Sequence, residues 1–170
     1  MKVFVTVGTT QFDDLIRLVC KTSILQAFHQ HSYSHFVLQI GTGEYEPPQQ
    51  CPVEGMILEY FRKKPSIRED MEKVDLIITH AGAGSLFESL RMKKKVIAIP
   101  NESLMGNHQK ELADVLDLDG NVVSSTVGTF EELVTSSDKL FTQLLPQLSP
   151  LAPSNAQSFA QVVDNEMLMD

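Results

Sequence analysis

The stretch Val74-Asp75-Leu76-Ile77-Ile78-Thr79-His80-Ala81-Gly82-Ala83-Gly84-Ser85-Leu86-Phe87-Glu88 carries the deciding pattern of this chain. A short apolar run empties into small residues and a helically periodic segment follows at once, so a strand turns through glycines into a helix. That layout suits a diphosphate. Glycines admit phosphate oxygens close to the backbone, and the unpaired N–H groups of a new helix point at the anion. Glu88, one turn in, is placed to accept from a pair of sugar hydroxyls. The spacing from Ser85 to Glu88 also fits a capping box, in which Glu88 only ties back to the helix start. Phe87 stands where G-x-G-x-x-G needs its third glycine, and no G-K-[ST] occurs, which disfavours NAD and ATP.

Outward from this stretch, short apolar runs alternate with helical patterns. Strands are predicted at 2–7, 36–40, 56–60, 74–79, 96–99 and 121–124, and helices at 13–28, 66–71, 85–92, 107–116 and 130–145. The alternation predicts an α/β fold, a single Rossmann-like domain with a parallel sheet over residues 1–125. Residues 126–170 are expected to add C-terminal helices and a proline-containing linker, 146–153. A last amphipathic stretch, 154–169, is suited to docking on the domain or on another chain.

In the common strand order 3-2-1-4-5-6, strands one and four are neighbours and a crevice opens beyond their carboxyl ends. Gly8-Thr9-Thr10 then faces Gly82-Ala83-Gly84-Ser85, and the exit of strand five leads to Asn107-His108-Gln109 beside them. Each has a plainer reading. Thr10 with Asp13 fits a helix cap, Gly8 a simple turn, His80 a packed histidine, and His108 and Gln109 ordinary surface.

A formal net charge of −8 argues against nucleic-acid binding, since such proteins present a basic face. Arg62-Lys63-Lys64 and Lys93-Lys94-Lys95 read as solvated surface. The two cysteines, Cys20 and Cys51, lack metal or disulfide-framework spacing. Asp117-Leu118-Asp119 precedes Gly120 and reads as the end of a helix rather than a metal motif. Neither a signal peptide nor a membrane span is evident, so a cytoplasmic chain is expected.

Three segments together carry a family resemblance: residues 3–15, His80-Ala81-Gly82-Ala83-Gly84-Ser85 with Glu88, and Asn107-His108-Gln109-Lys110-Glu111-Leu112-Ala113. They resemble the soluble catalytic subunits of the eukaryotic UDP-N-acetylglucosamine transferases that add the second GlcNAc to dolichol-diphosphate-GlcNAc, in glycosyltransferase family 28. They are more distantly similar to the C-terminal half of the bacterial lipid II-forming GlcNAc transferase. The resemblance extends from Met1 to about Ser124.

This resemblance implies an inverting transferase of GT-B type, of which the chain is the C-terminal half. It implies no cofactor and no metal, UDP-GlcNAc being a substrate. The implied partner is a membrane-anchored subunit that binds the dolichol-linked acceptor and recruits the chain to the cytosolic face of the endoplasmic reticulum. By position, Gly8, Thr9 and Thr10 would border the diphosphate, and Gly82, Ala83, Gly84 and Ser85 would donate to it. Glu88 would take the ribose hydroxyls, His108 and Gln109 the GlcNAc hydroxyls, and the backbone near Phe61 the uracil edge. The Gly41-Thr42-Gly43 turn would lie at the domain cleft. The general base stays unassigned, with His80 a candidate and the partner's half the other source. A non-catalytic nucleotide-sugar-binding or regulatory module is the alternative function.

Overall fold

The computed structural model describes residues 1–103 and 108–152. The expected helix start at Asn107 and the stretch 154–169 lie outside the described residues. Six strands form, β1 Lys2–Thr6, β2 His35–Gln39, β3 Ile57–Phe61, β4 Leu76–Thr79, β5 Lys95–Ala98 and β6 Val123–Ser124. They make one parallel sheet in the order β3-β2-β1-β4-β5-β6, with β1 and β4 in register from Val3 opposite Leu76 to Thr6 opposite Thr79. The expected order is therefore present, and its reversal falls between β1 and β4.

The strands read as unbroken apolar runs because both faces of the sheet are covered. On one face Val3, Val5, Leu38 and Ile78 pack with Leu15 and Phe28 in a single core. On the other, Phe4 and Ile77 meet Met71, while Val96 and Ala98 meet Leu86 and Leu116. The first face is covered by α1 Asp13–Val19 and α2 Thr22–Gln30, and the second by α3 Arg68–Glu72, α4 Ala83–Arg91 and α5 His108–Leu118. Helix α6, Phe130–Thr135, returns to the first face, where Phe130 and Val134 join the core of β1.

Three of the departures from the expected helix boundaries bear on the fold and the site. The single helix expected over 13–28 breaks at Lys21, whose extended backbone (ψ 135°) separates α1 from α2. Glu131 of α6 is seated at this break: it pairs with Lys21 Nζ and accepts from Ser23 Oγ at 2.6 Å. The helix expected over 130–145 also divides, α6 ending before Ser136 and a π-helical turn, Leu140–Leu144, running into the short α7, Leu145–Gln147. Pro146 sits inside α7 instead of ending the helix, as its missing N–H is harmless in a first turn. Finally, α4 begins at Ala83, two residues ahead of the expected Ser85.

No helix among the described residues is long and apolar enough to cross a membrane. The Asp117-Leu118-Asp119 run does end a helix. Gly120 N–H donates to Asp117 C=O, and the Asp117 carboxylate accepts Ser124 N–H at 2.8 Å.

Candidate functional site

The carboxyl ends of β1 and β4 are joined through one side chain, His80. Its backbone N–H and its Nδ1 both reach the carbonyl oxygen of Thr6, at 3.1 and 3.2 Å. A carbonyl only accepts, so Nδ1 carries the proton and Nε2 the lone pair. The ring is 5% exposed, and burial pulls its pKa below the ordinary value, against a smaller opposing effect of the Thr6 bond. Burial thus favours the neutral imidazole.

Two glycines make room for it. A Cβ on Gly8 would stand 3.1 Å from His80 Cε1, and one on Gly82 2.7 Å from the same atom. The two loops that the sequence sets opposite each other thus meet across this ring. Gly8 has a second reason to be glycine, a φ of +63° that side chains rarely tolerate. Gly84 differs: among the described residues nothing lies within 4 Å of a Cβ built there, so their packing does not require a glycine.

Helix α4 starts without a side-chain cap. Ser85 lies within its first turn, and the capping box that would have accounted for Ser85 and Glu88 does not form. The first N–H groups of a helix have no intrahelical acceptor, and no acidic side chain lies in this first turn. The terminus therefore keeps its partial positive charge, at the end of the sheet where strand order reverses. Just ahead of it, buried Ala81 has a φ of +62°, a strained conformation for a residue with a Cβ.

Beneath the crevice a row of polar side chains crosses the strand ends in register. Thr6 pairs with Gln39 on one side and Thr79 on the other. Thr6 Oγ1 donates to Gln39 Oε1 at 2.5 Å and accepts Gly8 N–H at 2.9 Å, which anchors the first glycine turn. Thr79 Oγ1 is buried with no hydrogen-bond partner among the described residues. Their sequence signal is one polar residue near the carboxyl end of each otherwise apolar strand, and sequence reasoning passed over all three.

Two further loops converge. The Gly41-Thr42-Gly43 turn packs on the β1–α1 loop, where Thr10 C=O accepts Thr42 N–H at 3.1 Å and the Asp13 carboxylate accepts Glu44 N–H at 3.1 Å. Thr10 does not cap α1; its hydroxyl donates to Val7 C=O at 2.8 Å. From β5, Asn101 Nδ2 donates to Gln11 C=O and Asn101 N–H to Gln109 Oε1, both at 3.4 Å. A cavity of about 450 Å³ lies between these loops, lined by Thr10, Gln11, Asp13, Asn101 and Ser103 among others.

Most residues singled out in the sequence thus gather at one end of the sheet. Gly8, Gly82, Ala83, Gly84 and Ser85 surround the β1–β4 junction, Thr9 and Thr10 follow on its rim, and Glu88 is one turn along α4, half-buried. Gln109 is tied in through Asn101, whereas His108 projects into solvent with its side chain 78% exposed, 4.0 Å from Glu111. The basic clusters serve the fold: Lys94 Nζ donates to the carbonyls of Glu72 and Val74, Arg62 to Gly43 C=O, and Lys64 pairs with Asp70.

A glycine-lined helix start at the switch point of an all-parallel 3-2-1-4-5-6 sheet defines a Rossmann-like domain. The model of the glycosyltransferase family 28 C-terminal domain matches residues 2–167, and the chain belongs to that family. The human UDP-N-acetylglucosamine transferase subunit ALG13 is 45% identical over 124 residues, which is 73% of this chain and 11% of that protein. The chain thus spans only 11% of the length of its human and mouse relatives. A Cryptococcus neoformans protein of the same name is 29% identical over 98% of this chain and 96% of its own length. A solution NMR structure of ALG13 superposes with a TM-score of 0.66 at 23% identity, covering 95% of this chain and 94% of that one. The crystal structure of Acinetobacter baumannii MurG does so with a TM-score of 0.64 at 18% identity, over 86% of this chain and 43% of MurG. The fold is that of the C-terminal half of a GT-B glycosyltransferase.

Proposed function

We propose that this chain is the donor-binding subunit of a heteromeric enzyme that transfers N-acetylglucosamine from UDP-GlcNAc to dolichyl-diphosphate-GlcNAc, the second step of lipid-linked oligosaccharide assembly. The observation that carries this reading is the uncapped start of α4 beside the Gly8–His80–Gly82 junction. In this reading Gly8, Thr9 and Thr10 border the diphosphate, and the N–H groups of Ala83, Gly84 and Ser85, with the Ser85 hydroxyl, donate to it. Glu88 accepts from the ribose hydroxyls, and His108 and Gln109 meet the sugar. The word subunit in the relatives' names supports a partner, which would hold the lipid acceptor at the cytosolic face of the endoplasmic reticulum.

Loss of UDP from the anomeric carbon builds negative charge on the β-phosphate. Donors fixed in advance stabilise that charge most in the transition state. One charge–dipole interaction contributes about 0.3–1 kcal/mol when exposed and up to about 2 when partly buried, so several donors and exclusion of water act together. A second domain closing over the crevice supplies the exclusion. No metal is needed in this scheme. His80 is set too deeply between the glycines to meet an incoming acceptor hydroxyl, which supports a base in the partner subunit.

The test is transfer of labelled GlcNAc to a lipid-diphosphate-GlcNAc acceptor by the chain alone, with membranes carrying the partner, and with Glu88→Ala. Transfer is expected only with the partner, falling about 10- to 100-fold in the variant as a charged hydrogen-bond acceptor is lost. Equal transfer by the isolated chain would overturn the split-enzyme reading. Binding of UDP-GlcNAc with no transfer in any arm would favour the non-catalytic module.

A further inference from the structure

The carboxamide of Gln109 is held one way round. Its Oε1 accepts the backbone N–H of Asn101 at 3.4 Å, and because an N–H can only donate, the oxygen end is the one turned to Asn101. The two protons on Nε2 are left on the other side of the amide. Among the described residues nothing accepts from them.

Asn101 is itself pinned at both ends of its side chain. It is 8% exposed, its Oδ1 accepts Ser103 N–H at 3.2 Å and Ser103 O–H at 2.6 Å, and its Nδ2 donates to Gln11 C=O at 3.4 Å. These bonds tie the exit of β5 to the β1–α1 loop and build a wall of the 450 Å³ cavity. The backbone N–H that holds Gln109 is therefore part of a fixed frame.

We propose that Asn101 is a positioning residue that orients Gln109 so that its carboxamide turns its N–H donors away from Asn101, to an acceptor oxygen of the transferred sugar. The proposal rests on the nucleotide-sugar reading of the site. It adds an orientation to it: turning the Gln109 amide over would leave Asn101 N–H unpaired, so the side that meets the ligand is the donor side.

Gln109→Glu tests it while keeping shape. One carboxylate oxygen still accepts Asn101 N–H, and the other replaces the donor with an acceptor. Measured by calorimetry on the full chain, UDP-GlcNAc binding is expected to weaken about tenfold or more while UDP binding stays within about twofold. Asn101→Ala is expected to weaken UDP-GlcNAc by about three- to tenfold, also sparing UDP, and Asn101→Asp, which keeps the acceptor for Ser103, to recover part of the loss. Amide hydrogen exchange reads the lock without ligand: Asn101 N–H is protected in the wild type and in Gln109→Glu, and loses protection in Gln109→Ala. Unchanged UDP-GlcNAc binding by Gln109→Glu, or equal Asn101 protection in Gln109→Ala, would overturn the proposal. Wild-type chain that binds neither UDP nor UDP-GlcNAc would instead sink the nucleotide-sugar reading and the sugar contact with it, while exchange at Asn101 still decides whether the lock exists.

Discussion

The imidazole of His80 occupies the space that a side chain on Gly82 would need, a Cβ there standing 2.7 Å from Cε1. The backbone of Gly82 is ordinary, with φ −61° and ψ 129°, so alanine would meet a purely steric obstacle. Gly82→Ala should push the ring off the Thr6 carbonyl and destabilise the fold by about 1–3 kcal/mol, the usual cost of overpacking a tight site. Urea denaturation measures this, and an unchanged midpoint would mean that the ring gives way freely.

Gly84→Ala should separate stability from function. It sits in the first turn of α4 with open space around its missing Cβ, so alanine should stabilise the helix by up to about 1 kcal/mol. The same methyl would stand against the face proposed for the diphosphate, and UDP affinity should fall. A variant that is more stable and still binds UDP normally would move the diphosphate elsewhere.

His80 should make stability pH-dependent on the acid side. Burial holds its folded pKa below the ordinary 6.5, so between the two values the unfolded chain binds the extra proton. The contribution is fully present above the unfolded pKa and is lost as pH falls from there through the folded one. His80→Asn should flatten that part of the stability profile. An equally steep fall from pH 7 to pH 5 in the variant would assign the effect to other groups.

The strand order was legible because each strand is buried on both faces and so reads as a plain apolar run, with the glycine turns marking where the carboxyl ends lie. The breaks at Lys21 and after Thr135 were not. Lys21 and Ser23 are separated in sequence from Glu131, and only the folded chain shows that one carboxylate holds both. Within the site, small residues at loop positions gave away Gly8 and Gly82, but the ring that requires them was read as a packed histidine or a candidate base, not as the group the two glycines make room for. Asn101 gave no signal of its bond to the β1–α1 loop, since its partner there, Gln11, is 90 residues away in sequence. Ser85 and Glu88 fitted a capping box by spacing alone, and the start of α4 two residues earlier removes that fit.

Residues beyond 125 share the core of the sheet, and their removal should be felt there. Phe130 and Leu140 are fully buried in the cluster that contains Val3 and Val5. Phe130→Ala should destabilise by about 3–5 kcal/mol. A chain ending at residue 125 should lose cooperative thermal unfolding, and a sharp transition like that of the full chain would show that α6 is dispensable.

Thr6 and Thr79 face each other in register, and the same change of shape should act on them with opposite sign. Valine in place of Thr79 removes a buried hydroxyl that has no partner and should stabilise by about 1 kcal/mol. Valine in place of Thr6 removes a hydroxyl that both donates to Gln39 and accepts from Gly8, leaving two groups unpaired at a cost of about 2–4 kcal/mol. Function should divide the same way. Thr79 is fully buried, so its loss leaves UDP binding intact, whereas the loss of Thr6 frees the Gly8 turn and weakens it. Chemical denaturation with UDP titration of both variants checks the pair, and destabilisation by Thr79→Val would reveal a partner for that hydroxyl, such as a buried water.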